Sequence, residues 1–318
     1  MRIKNNPKIF YLACGLLAVG DTRYDHADAE VAALAGKICE ASQDAALDEN
    51  ILAWFGASKT EQVEVNPYWP RGHAMLAATL FINDDADFNI DQFMEFTNNI
   101  NMIDPIGKEN FRNWISRLPE VLEYIEDIFR VFWKEYCKII FDRTAGWAPA
   151  IEASRRPLRD FFGRDSIPNM VLAPNLFASP FSADFVRLDD TIIVIACKPD
   201  VESILHEALH AEVAKCRGSI TTFGEEHGVA SFADAEKMQE LGYMIDDEAA
   251  SIAHVIEECF VRALSSILAY GNEGRLQIHV DCGFTGLPTI AKHFEKHRPT
   301  NESLGDFIDI VLKGVVEE

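Results

Sequence analysis

Residues 191–213 constrain the fold more than any other stretch. Thr191-Ile192-Ile193-Val194-Ile195-Ala196-Cys197 is a continuous, β-branched run, the pattern of a buried strand. Lys198-Pro199-Asp200 then turns the chain, with a proline near the first helical position. Beyond the turn, Ile204, Leu205, Ala208, Leu209 and Val213 are apolar at the spacing of a largely buried helix. That helix carries His206-Glu207-Ala208-Leu209-His210, an H-E-x-x-H pattern.

Residues four apart in a helix lie on one face, a turn above each other. His206 and His210 can therefore aim two imidazoles at one point, as two corners of a tetrahedral zinc site. Glu207 is rotated off that pair, so it can stand beside a bound water without ligating the metal. The alternative is an accident on an amphipathic helix. Two histidines one turn apart in an apolar setting nevertheless need partners, because buried polar groups must be satisfied. That need favours the metal.

Zinc takes a third protein ligand in a catalytic site. The best source is the helix expected over 246–270. Its core stripe is Ile252, Val255, Ile256, Cys259, Phe260, Ala263, Leu264 and Ile267. A polar stripe of Ser251, His254, Glu258, Arg262 and Ser265 runs along another side. Here the chain resembles the gluzincin metallopeptidases. They carry the two-histidine motif on one helix and a glutamate ligand on a later one, which Ile256-Glu257-Glu258-Cys259-Phe260-Val261-Arg262-Ala263-Leu264 looks like. The resemblance covers these two segments and the strand before the motif, not the N-terminal half.

The resemblance implies a zinc-binding, zincin-like region with His206, His210 and a glutamate as ligands and Glu207 as general base. Glu257 and Glu258 compete for the third position. Glu258 is favoured because it shares the polar stripe with His254 and Arg262, whereas Glu257 lies nearer the apolar stripe. Thermolysin-like sequences place an aspartate one turn after the glutamate, and here Arg262 stands at that place relative to Glu258. A peptidase of this type also needs a donor for the oxyanion. The candidates are His227, Tyr243, His254 and Tyr270, with His227 read as part of a surface loop.

The formal net charge is −22 over 318 residues, so the chain repels phosphate backbones and no nucleic-acid partner is expected. The seven cysteines are scattered, odd in number and form no C-x-x-C pair, which suits a reducing, cytoplasmic setting. The basic start and the apolar run 9–20 resemble a short secretory or lipoprotein signal around Leu12-Ala13-Cys14, but the run is short and an ordinary core helix is the favoured reading. No run is long and apolar enough to span a bilayer.

Periodicity predicts helices over 25–44, 70–81, 90–100, 110–118, 120–142 and 147–162, with a surface turn at 84–87. Strands are expected at 169–174, 185–188 and 191–197, the last two joined by a hairpin turn at Asp189-Asp190. A long glycine-containing loop is expected over 216–231, a short polar linker after Tyr270, and helices over 287–297 and 304–316. The fold class is thus mainly α (α+β): a helical N-terminal half, then a zincin-like half with a small antiparallel or mixed sheet and an active-site helix. The expected regions are 1–165 and 166–318, or one continuous domain. The expected function is zinc-dependent hydrolysis of a peptide or protein substrate. A zinc-binding hydrolase of another bond and a helical interaction protein with an inert motif are the rivals.

Overall fold

The computed structural model describes residues 2–83, 87–99, 107–163, 169–179, 183–245, 248–271, 275–300 and 302–317. The expected turn at 84–87 falls largely outside these residues, as do the end of the 90–100 helix and positions 246 and 247. The described chain is mainly helical with a small mixed sheet. It forms two compact units, Met1–Ala148 with Met170–Pro199, and Pro149–Asn169 with Asp200–Glu318.

The first unit holds the sheet. Its strands are β1 (Arg2–Ile3), β2 (Asn169–Pro174), β3 (Ala183–Leu188) and β4 (Thr191–Ala196), in the order β1-β2-β4-β3. β1 runs parallel to β2, with Arg2 opposite Val171. β3 and β4 form the expected antiparallel hairpin, from Ala183 opposite Ala196 to Leu188 opposite Thr191. Asp189 makes the turn at φ 52°, a left-handed conformation that aspartate tolerates better than most residues.

The apolar N-terminal run is a core helix, Pro7–Ala18, started by Asn6, whose side chain accepts from the Lys8 amide. Phe10 is fully buried, 4.6 Å from the Tyr136 ring and 5.3 Å from that of Trp133. Tyr136 donates to the Pro174 carbonyl at 3.0 Å and accepts from the Leu176 amide at 3.1 Å, which ties this aromatic cluster to the end of β2. Gly15 lets the helix approach Phe55 closely: a Cβ there would lie 2.0 Å from the ring's Cζ. Phe55 is 1 % exposed and cannot swing into solvent. Gly15→Ala is therefore expected to destabilise the first unit by about 3 kcal/mol through overpacking, read as a lower denaturation midpoint. An unchanged midpoint would mean that the ring has somewhere to go.

In the second unit the motif helix, Val201–Val213, begins at Asp200, whose carboxylate accepts from the Ser203 amide at 2.7 Å. It packs along the glutamate helix, Ala249–Tyr270, which Arg217–His227 and Leu287–Lys296 also cover. Gly271 closes the glutamate helix at φ +82°.

Three expectations are corrected. The segment expected as a loop over 216–231 contains the helix Arg217–His227. Its glycines misled: Gly218 and Gly224 lie inside the helix and only Gly228, at φ +70°, ends it. Gly224 is there for packing, since a Cβ would meet Ile252 of the glutamate helix at 2.9 Å. Likewise, 120–142 and 147–162 are not two helices. Leu118–Phe129 is followed by a 3-10 turn, and Trp133–Phe162 then runs unbroken past Pro149 and Pro157. Each proline removes one helical hydrogen bond without ending the element. A short helix, Leu276–Asp281, also stands where a polar linker was expected. Among the described residues, no helix is long and apolar enough to cross a membrane.

Candidate metal centre

The motif helix is buried on nearly every side. Ile204, Leu205, Ala208, Leu209 and Val213 are at most 1 % exposed, and Glu207 and His210 only 3 % and 7 %. The polar stripe of the glutamate helix is buried as well: Ser251, Glu258 and Ser265 are all within the core. At its centre Glu258 meets both histidines of the motif helix. Burying so many polar groups is tolerable only where they satisfy one another or hold an ion.

They converge on one point. His206 Nε2 and His210 Nε2 are 3.0 Å apart. Glu258 Oε1 lies 3.1 Å from His210 Nε2, and Glu258 Oε2 lies 3.8 Å from His206 Nε2. Within these three residues, one ligand atom from each lies within 4.8 Å of the others. A tetrahedral zinc ion separates its nitrogen ligands by about 3.3 Å, so the cluster needs only small adjustments to accept one. Glu258 Oε2 is also buried without a hydrogen bond, although Arg262 Nε faces it at 3.0 Å. A carboxylate oxygen held dry beside two imidazole nitrogens fits a metal ligand.

The electrostatics agree with a cation at that point. Burial opposes charge on both histidines. On His206 burial prevails, and its pKa lies well below the ordinary value. On His210 the Glu258 carboxylate, helped by Glu257, outweighs burial and lifts the pKa to about 10. Burial also works against the charge of Glu258, but His210, Arg262 and His206 overcome it and hold that carboxyl well below the usual range.

Glu257 is placed differently. Its Oε1 faces the other nitrogen of His210, Nδ1, at 3.7 Å. Its Oε2 accepts from Arg217 at 2.7 Å. Glu258 thus sides with the Nε2 atoms of both histidines, and Glu257 stands behind the ring of His210.

The four oxyanion candidates separate. Tyr243 accepts at 2.6 Å from Arg262, the same arginine that pairs with Glu258. Burial pushes its pKa up to about 12, with Arg262 pulling the other way, so the hydroxyl keeps its proton at neutral pH. His254 stacks on Tyr243 with ring centres 6.4 Å apart. Tyr270 is 42 % exposed and lies under the Arg275 guanidinium. His227 ends the helix Arg217–His227, with Glu226 at 3.7 Å and 39 % of its side chain exposed, and is not gathered into the cluster.

Several residues around the site carried no signal in the sequence. Arg262 NH1 lies 3.3 Å from His279 Nδ1, and His279 Nε2 lies 3.1 Å from Glu202 Oε1. Arginine can only donate, so His279 Nδ1 accepts and Nε2 carries the hydrogen toward Glu202. The Arg262 guanidinium also rests over the Phe284 ring, 4.4 Å from its centre. Glu202, His279 and Arg217 lie far apart in sequence and match no motif.

No protein-family profile, curated protein or solved structure matches the chain. The chemistry of the site has to be read from its own atoms.

Proposed function

We propose that the protein is a zinc-dependent hydrolase, a metallopeptidase that cleaves peptide bonds. The observation that carries this reading is the buried convergence of His206, His210 and Glu258, with Glu207 on the same helix turn. His206 Nε2, His210 Nε2 and Glu258 would hold the ion. Bound zinc supplies a Lewis acid that polarises a carbonyl and brings a water's pKa toward neutrality. Glu207 takes the proton of the attacking water and later passes it to the leaving amine. Tyr243, its oxygen fixed by Arg262, donates its hydroxyl hydrogen to the oxygen on which negative charge develops. The near-complete enclosure keeps bulk water from competing with these contacts. Peptide bonds as substrate rest on the resemblance to gluzincins. The free cysteines support a reducing, cytoplasmic setting.

The test is metal content followed by turnover. Protein purified without chelator is expected to carry about one zinc per chain by elemental analysis, as a three-ligand catalytic site would. It should then cleave members of a mixed peptide library, lose that activity to a chelator and regain it with zinc. Protein devoid of metal even after incubation with zinc would leave an inert helical scaffold. Bound zinc without peptide cleavage would point to a hydrolase of another bond.

A further inference from the structure

We infer that Glu257, clamped by Arg217, is a positioning residue that orients His210 for the metal; this rests on the metal reading of His206, His210 and Glu258. Histidine presents one nitrogen to a metal and must place a hydrogen on the other, and whatever accepts that hydrogen fixes both tautomer and ring angle. For His210 the assignment of the two nitrogens is geometric. Nε2 faces His206 Nε2 at 3.0 Å and Glu258 Oε1 at 3.1 Å, so it is the nitrogen of the ligand cluster. Nδ1 points the other way, to Glu257 Oε1 at 3.7 Å. That is an ion-pair distance, about half an ångström beyond a hydrogen bond, and a small rotation of the ring closes it.

The carboxylate is held in place for this. Glu257 has only 4 % of its side chain exposed and is spanned by its two contacts, His210 through Oε1 and Arg217 through Oε2. Arg217 donates at 2.7 Å from the first residue of the following helix. The arginine neutralises the buried carboxylate and fixes its rotamer. Without that clamp the carboxylate would be free to turn away from His210 Nδ1. One turn after Glu258 stands Arg262, which pairs with it, and the acidic group behind His210 comes from the residue just before Glu258. The adjacent glutamates therefore have separate tasks.

The experiment measures zinc affinity by competition with a chromophoric chelator, starting from metal-free protein, and records the visible spectrum of the cobalt-substituted form. Glu257→Gln is expected to weaken zinc binding about 10- to 100-fold while saturating at one ion and keeping the cobalt band pattern, because the ligands are unchanged. Glu258→Gln is expected to alter the band pattern itself. Arg217→Gln should weaken binding in the same direction. The double variant Glu257→Gln/Arg217→Gln should be no weaker than Glu257→Gln alone, since the arginine acts through the glutamate. If Glu257→Gln does not fold, Arg217→Gln carries the test. Unchanged zinc affinity in the folded variants overturns the inference and leaves the metal reading standing. A changed cobalt spectrum in Glu257→Gln with an unchanged one in Glu258→Gln also overturns it, by making Glu257 the ligand. Full zinc binding by His206→Ala would instead sink the metal reading itself.

Discussion

Glu207→Gln is expected to leave about one zinc per chain and an unchanged fold while hydrolysis of a responsive peptide falls about a hundred- to ten-thousand-fold. Glu207 sits one residue beyond His206 and is 3 % exposed, so it is beside the ligand cluster and not in it. Glutamine has almost the same volume, so the surrounding core keeps its shape. What it lacks is the capacity to accept a proton. Metal retained with activity lost is the signature of a general base. The loss should appear in kcat and kcat/KM together, because the proton moves only as the bond is attacked. Wild-type turnover by this variant would show that another group takes the proton.

His210→Ala is expected to have the second largest effect. Structural zinc sites with four ligands bind with about 10–16 kcal/mol, so one ligand accounts for roughly 2.5–4 kcal/mol, or on the order of a hundred- to a thousandfold in affinity. The variant also leaves Glu257 and Glu258 facing a gap. Both are buried, and both lose a partner that helped keep them charged. Since zinc binds the native state only, chelation should lower the melting temperature of wild-type protein more than that of His210→Ala at the same zinc concentration. A variant that retains zinc at wild-type affinity, or that responds to chelation as strongly as wild type, would place the ion elsewhere.

The parts of this site that sequence reasoning reached are those set by helical geometry alone. A spacing of four residues is enough to put His206 and His210 on one face, and a polar stripe on an apolar helix is enough to favour Glu258 over Glu257 as the group facing them. The hairpin was legible because Asp189-Asp190 punctuates the short run 185–188 and the β-branched run that follows it. Partners from elsewhere in the chain were not legible. A helical wheel gives the direction in which Glu257 leaves its helix, but not that Arg217 waits there. Arg217 was further hidden because glycines signal loops far more often than close helix packing, and Gly218 and Gly224 lie inside its helix. The same limit applies to His279 and Glu202, which become neighbours only through tertiary structure. Proline is ambiguous in the same way. Pro119 sits in the first turn of a helix, whereas Pro149 and Pro157 lie in the middle of one.

The pairing of Glu257 with Arg217 bears on a degree of freedom that apolar packing controls poorly. The glutamate helix is lined by Ala253, Val255, Ile256, Cys259, Phe260, Val261, Ala263, Leu264 and Ile267, all buried. Contacts of that kind are non-directional and resist separation better than they resist a roll about the long axis. A carboxylate oxygen extends roughly 6–7 Å from a helix axis, so a roll of about 10° would carry it about 1 Å sideways. A misplacement of that size can cost about a hundredfold in rate. The Arg262–Glu258 pair cannot prevent it, because both partners belong to the same helix and would turn together. Arg217 belongs to a different helix, and its grip on Glu257 acts as a torsional stop. Arg217 thus adds, from a neighbouring helix, one of the directional contacts that fix the roll of the 22-residue rod and the aim of Glu258.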